Sequence, residues 1–306
     1  MIISMGNAII KRVDHIIVQA EPPEPLFHLL RDQLLLPVAW QIRRDAFFTS
    51  GGIHLGNLNL QIMQLNHHKT NGSGGTAKLN GLGFELNDTQ ASLYELDRRG
   101  IPHTPPMPFY QFDEQGWQIT SWTNVYLGGL IGGVNPAGRM FFDLSHFTPA
   151  NTWEKVALPT DINRKLTLPF VYDRVYPNGI TYSVEYNPAW RGINMRPEPD
   201  RAGLDIKQVQ QITIGTSDFL RARERWRNLL APHPEVGDAI WVLPDGLHLR
   251  LKPASHDGLL SMVWQAHSLN RSVQFLSRRD MMGKEKSGVV QIAPEKIFGL
   301  DIRLVQ

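Results

Sequence analysis

Few residues in this chain have both the type and the placement to do chemistry. His15 alternates with Val13 and Ile17 in the apolar stretch 12–19, so its imidazole would project from one strand face. His54 stands two residues before Gly56, beside a turn, where a side chain can reach a pocket rim or simply face solvent. Gln61 offers a hydrogen-bond donor and an acceptor on one amide. Trp122 and Tyr126 are four apart on a predicted strand and share a face. With Phe142 they read either as a hydrophobic pocket wall or as plain core. Asp143 is the natural carboxylate of the segment 140–147, with His146 in the same strand. His67 and His68 are adjacent, so on a strand they face opposite sides and cannot grip one ion together.

Other chemistries are excluded. The chain has no cysteine, hence no disulfide, no thiolate zinc site and no cysteine nucleophile. That absence leans toward a reducing, cytoplasmic setting. There is no G-x-S-x-G elbow, no phosphate loop and no H-E-x-x-H helix. GLGFEL at 81–86 lacks the third glycine of a dinucleotide fingerprint and begins a strand instead of ending one, so no nucleotide cofactor is expected. The glycine-rich LGGLIGGVNPAG has no following lysine and reads as a flap.

Formal charge is only +2, and no apolar run approaches the length of a membrane helix, so neither a polyanion nor a bilayer is an expected partner. The apolar start precedes Lys11 and Arg12, the reverse of a secretory signal. Arg221, Arg223, Arg225 and Arg227 flank an apolar helix face of Phe219, Ala222, Trp226 and Leu229. They read as solvated flanks, because aromatic residues interleaved with basic ones on sheet strands are missing. A small molecule is the expected partner, and exposed sheet edges leave room for a homodimer.

What must position these residues is written in repeats. FELNDTQASLYELDRR at 84–99 returns as WQAHSLNRSVQFLSRR at 264–279, without a gap. RVDHIIVQA…LLLP at 12–37 is echoed by QVQQITIGT…LLAP at 208–232. Two strand–helix units therefore recur in the same order, the mark of a modular chain. The first module spans about 12–66, with a helix entered through prolines 22, 23 and 25 and strands at 38–43, 46–55 and 58–65. The second spans about 78–147, with Asp88 capping a helix that Gly100 ends, and strands at 117–126 and 139–147. Residues 148–205 read as a bridge carrying a hairpin around Pro177-Asn178-Gly179. Shorter modules follow at about 206–254 and 258–306.

This βαβββ pattern, used four times as two pairs, resembles the vicinal oxygen chelate superfamily of glyoxalases, extradiol dioxygenases and related binding proteins. VDHIIV at 13–18, GGIHLGNLNLQIM at 51–63 and GLDIRLV at 299–305 carry the resemblance. It implies an α+β fold in which paired modules form two glyoxalase-like curved-sheet domains, 1–147 and 206–306. It also implies ligands on first and last strands pointing into a cup, holding iron, manganese or zinc. His15 matches the first-strand histidine. The last-strand glutamate falls near Gln61, a weak ligand, and the second module's position falls on Gly81. Asp143 would be the remaining metal ligand. In the later pair Gln211 replaces His15 and Arg250 replaces Gln61, so that cup is expected to be metal-free and structural or part of an interface.

Two functions follow from the resemblance. The first is a lyase, isomerase or dioxygenase acting on a small organic substrate in the N-terminal cup. There His15 would ligate a divalent metal with Asp143, or act as a general base, and Gln61, His54, Trp122, Tyr126 and Phe142 would contact substrate. The second is a binding or scaffold protein of the same fold that has lost catalysis.

Overall fold

A computed structural model describes residues 7–44, 48–65, 75–112, 116–128, 130–131, 180–195 and 203–306. The chain opens with β1 (Ile10–Ala20) and a helix α1 (Glu24–His28) that widens into a π turn at Leu29–Gln33. Strands β2 (Val38–Arg44), β3 (Phe48–His54) and β4 (Asn59–Leu65) complete the first module. The second is β5 (Ala77–Leu86), α2 (Thr89–Arg98), β6 (Met107–Phe112), β7 (Gln118–Leu127) and β8 (Ile180–Tyr186). A short helix α3 (Pro188–Asn194) leads on to β9 (Ile206–Thr216), α4 (Phe219–Leu230), β10 (Glu235–Val236), β11 (Ile240–Val242) and β12 (His248–Pro253). The last module is β13 (Gly258–Ala266), α5 (Leu269–Ser277), β14 (Met282–Lys286), β15 (Val289–Ile292) and β16 (Ile302–Val305).

The strands form two curled eight-stranded sheets of identical plan. One runs β2-β3-β4-β1-β5-β8-β7-β6 and the other β10-β11-β12-β9-β13-β16-β15-β14. In each, the two modules meet through an antiparallel pair, β1 with β5 and β9 with β13. Each module's last strand lies parallel to its first. The four repeated units expected from the sequence are thus present and paired two by two.

Helix starts follow the local chemistry. Asp88 accepts a bond from the Ala91 amide at 2.7 Å, and Ser268, at the matching place in the echo, accepts one from Arg271 at 3.4 Å. Each cap satisfies an amide that the first helical turn leaves without a partner.

One apolar core runs under both sheets, and Phe84 of β5 meets Trp226 of α4 edge-on at 6.4 Å within it. Polar bonds tie the halves together. Asn57 exchanges two bonds with the Val209 backbone (3.0 and 2.9 Å), and Arg99 donates to the carbonyls of Asn228 and Ala231 (2.9 and 2.8 Å). On α4 the face of Ala222, Trp226 and Leu229 is buried as expected, and Arg223 and Arg227 both clasp Glu235, which removes two of the four arginines from any external role. Among the described residues no helix is long and apolar enough to cross a membrane.

The sequence reading put Ile180–Tyr186 in a bridge hairpin and sought the second module's closing strand at 139–147. The structure makes β8 that closing strand, parallel to β5 and antiparallel to β7. The segment 139–147 lies outside the described residues. Distance concealed the correct strand: 52 residues (128–179) separate β7 from β8, against nine (293–301) between β15 and β16. The sequence reading also passed over β6, because prolines 105, 106 and 108 argue against a strand. Its place at the sheet's edge accommodates Pro108, which has no N–H to donate.

Candidate functional site

Strand alternation, interrupted on β1 by a bulge between Val13 and His15 that turns Val13 away from the face expected for it, divides the first sheet into two faces. Val13, Ile16 and Val18 of β1, Leu60 and Ile62 of β4, and Leu82 and Phe84 of β5 enter the common core. Their neighbours project from the opposite, concave face. On that face the strand register sets a continuous row: His54 opposite Asn59, Asn59 beside His15, His15 opposite Gly83, Gly83 beside Tyr182, and Tyr182 opposite Tyr126. Gln61 occupies the next row, between Gly52 and Ile17.

His15 is at the middle of the row and only 2% exposed. Its Nδ1 lies 2.9 Å from Oδ2 of Asp14. An ionised carboxylate only accepts, so the proton of that bond sits on Nδ1. In the tautomer with its proton on Nδ1, Nε2 accepts, and it meets the Tyr182 hydroxyl in a close hydrogen bond. The phenol ring stands edge-on to the imidazole, and Tyr126 packs against it at 5.6 Å between centroids. The side of β5 nearest the imidazole must be bare, and Gly83 provides that space. Asp14, His15 and Tyr182 therefore form a carboxylate–imidazole–phenol series at the floor of the cup.

Asp14 is 1% exposed and carries more partners than His15. Arg191 of α3 donates to its Oδ1 at 2.9 Å, and Arg12 approaches the same oxygen at 3.4 Å. Burial alone would push the Asp14 carboxyl up. The bond with His15, then the charges of His15 when protonated, of Arg191 and of Arg12, outweigh it and hold the carboxyl below its ordinary value. Tyr186 lies 3.4 Å from Oδ2 of the same carboxylate. Burial, then the charge of Asp14, keep the Tyr186 hydroxyl well above the usual phenol range, so it stays protonated and donates.

Helix α3 lies across this face. Its Trp190 stacks on Tyr186 at 6.0 Å, tilts against Trp122 at 5.2 Å and donates from Nε1 to Gln111 at 2.8 Å. Phe109 stacks on Trp122 at 5.3 Å. At its far end Asn194 accepts from Arg43 of β2 at 2.6 Å. On this face, among the described residues, the buried Oδ1 of Asn124 has no hydrogen-bond partner, although its Nδ2 approaches the Tyr126 hydroxyl at 3.4 Å. A buried acceptor of this kind calls for a donor beyond those described, a water or a ligand group included.

The structure thus places His15, Gln61, His54, Trp122 and Tyr126 on one concave face, with His54 bonded from Nδ1 to Asn59 at 2.9 Å. Phe142 and Asp143 lie outside the described residues. Asp14, Asn124 and Arg191 went unnoticed in the sequence, and Tyr182 was read there, with the other bridge tyrosines, as glue between the two halves, whereas it meets His15. For Asp14 the signal was its adjacency to His15. Tyr182 and Arg191 were hidden by the assignment of their segment to a bridge.

A metal centre does not fit the described donors. No group of three histidines, aspartates or glutamates comes together among the described residues. Both His15 nitrogens are already engaged, and the register puts Gln61 and Gly81 level with Ile17, not with His15. Asp143, the expected companion ligand, cannot be set beside His15 here.

No family model and no curated protein matches the sequence. Solved structures do. Homoprotocatechuate 2,3-dioxygenase of Arthrobacter globiformis superposes with a TM-score of 0.56 at 10% identity, over 99% of this chain and 82% of that one. A variant of 4-hydroxymandelate synthase from Streptomyces coelicolor gives 0.54 at 11%, over 97% and 92%. A hypothetical protein from Staphylococcus aureus gives 0.50 at 9%, over 95% and 98%. At such identities the likeness speaks for architecture, and it agrees with the paired sheets: the chain has the vicinal oxygen chelate fold.

Proposed function

We propose that the N-terminal cup binds a small organic molecule and moves a proton on it through Tyr182 and His15. The observation that carries this reading is the series Asp14–His15–Tyr182, buried on the concave face beside the unpartnered Oδ1 of Asn124. Asp14 holds the imidazole in the tautomer that leaves Nε2 basic. Loss of the phenol proton to Nε2 would make Tyr182 a base toward an acidic C–H or O–H of the ligand, and its return would make it an acid. Asn124 would accept from a ligand hydroxyl or amine, and Gln61 and His54 would line the neighbouring rows. The solved neighbours named for dioxygenase and synthase activities use the same architecture, which supports an enzyme working in a cup of this kind.

The test is a metabolite thermal-shift screen, followed by incubation of each hit in deuterated water. Deuterium entering the hit with wild-type protein, and neither with His15→Ala nor with Tyr182→Phe, is the expected result. Exchange that persists in both variants ends the proposal.

A second reading, a ligand-binding protein without catalysis, is favoured by the dense aromatic packing of Trp122, Tyr186 and Trp190 over the same face. It predicts hits that bind without exchange or turnover.

A further inference from the structure

The second sheet repeats the plan of the first, but its concave face is furnished differently. Gln211 of β9 sits beside His248 of β12, as His15 sits beside Asn59. In the next row Arg250, Thr213 and Ser261 are neighbours on three adjacent strands, β12, β9 and β13. Adjacent strands lie about 4.8 Å apart, so the three side chains project side by side. Leu249 and Leu251 go to the core, which leaves His248, Arg250 and Lys252 on the concave face.

Three observations set this face apart. First, β9, β12 and β13 contain no aspartate or glutamate. Second, His248, Arg250 and Lys252 have no ion pair among the described residues, whereas Arg12, Arg99, Arg191, Arg223 and Arg227 are all engaged with protein oxygens. The carboxylate of Asp301, where β16 begins, is already held by Arg303 and Gln291. Third, the floor is made of hydroxyls. Thr213 and Ser261 are each 6% exposed. Thr213 accepts from Gln211 at 3.2 Å, which leaves its own proton free to point into the cup. Arg250 and Lys252 are exposed at the rim of this face, above the buried hydroxyl floor, so an anion seated on the hydroxyls would meet both charges at the mouth.

We infer that the C-terminal cup is a site for a small anion, a carboxylate or a phosphate. Arg250 offers a planar fork of donors, and Thr213 and Ser261 add hydroxyl donors from the floor. Lys252 and His248 flank the seat. The inference is independent of the proton-transfer reading of the first cup.

Calorimetric titration of the full chain at low ionic strength, with inorganic phosphate in one arm and succinate in the other, tests it. Saturable one-site binding is expected, and the tighter arm identifies the acid. Arg250→Gln should weaken that arm at least tenfold, and Thr213→Val should weaken it less. Arg44→Gln, which removes a distant exposed cation paired with Glu24, should leave it unchanged. No saturation in either arm, wild-type affinity in Arg250→Gln, or an equal loss in Arg44→Gln would each overturn the assignment.

Discussion

Gly83 faces His15 so closely that a side-chain carbon on the glycine would meet the imidazole Cε1 at 2.4 Å. The ring cannot simply swing aside, because Asp14 and Tyr182 hold its two nitrogens. Gly83→Ala should therefore destabilise the fold by about 1–3 kcal/mol, the range for overpacked sites. Urea unfolding of the variant measures it. An unchanged midpoint would show that the histidine is not fixed between its two partners.

Tyr182→Phe removes the donor to Nε2 and leaves a buried acceptor unsatisfied. Expected is a loss of about 1–3 kcal/mol, with the ring packing against Tyr126 retained. The double variant with His15→Ala should lose less than the sum of the single changes, since both remove one shared bond. Additive losses would sink the pairing.

Acid should weaken the protein through Asp14. Its carboxyl is held below the unfolded reference of 3.8, so as the pH falls the unfolded state takes up the proton first and the folded state binds fewer protons than it. The stabilisation is complete above that reference and disappears as the pH drops through the folded value. Asp14→Asn should flatten this limb of stability against pH. It should also cost about 1–3 kcal/mol at neutral pH, because Arg191 and Arg12 lose a charged partner while both stay partly open to solvent and Arg12 keeps Glu85. Denaturant midpoints taken at intervals from neutral pH to below pH 4 decide it.

Asp88→Ala and Ser268→Ala remove corresponding caps in the two echoed helices. Each should cost about 0.5–2 kcal/mol, and the shorter Asp88 bond points to the larger loss. Thermal melts of both variants and of the pair provide the comparison.

Much of this was legible before any coordinates. The echo of 84–99 in 264–279 located α2 with its Asp88 cap and marked out the matching α5, because cap chemistry and amphipathic spacing are local; the Ser268 cap was not singled out. The alternation around His15 held only on its C-terminal side: a bulge between Val13 and His15 turns Val13, expected beside the histidine, to the core. What escaped depends on contacts between distant residues. The segment ITYSVEY alternates like any half-buried strand, and nothing in its composition says that its neighbours are β5 and β7. Tyr182 and Arg191 belong to that segment and its sequel, so Tyr182 was taken for glue between the halves and Arg191 was not considered as a partner of Asp14. Pro108 hid β6, since a proline inside a sheet is tolerated only where no strand needs its missing proton. The Gln211 and Arg250 substitutions were read as a loss of metal ligands. The acid-free strands around them, equally visible in the sequence, went unused.

The interior place of β8 has a consequence for biosynthesis. At about 5–20 residues per second, a ribosome that has finished β7 needs roughly 3–10 s to deliver the strand that belongs beside it. Through that interval the nascent chain offers uncovered edges on both β5 and β7, each able to recruit a stray strand. The later sheet waits less than about 2 s for β16. Slowing translation before codon 180 should therefore swell the insoluble fraction, whereas a pause before codon 302 should do so far less.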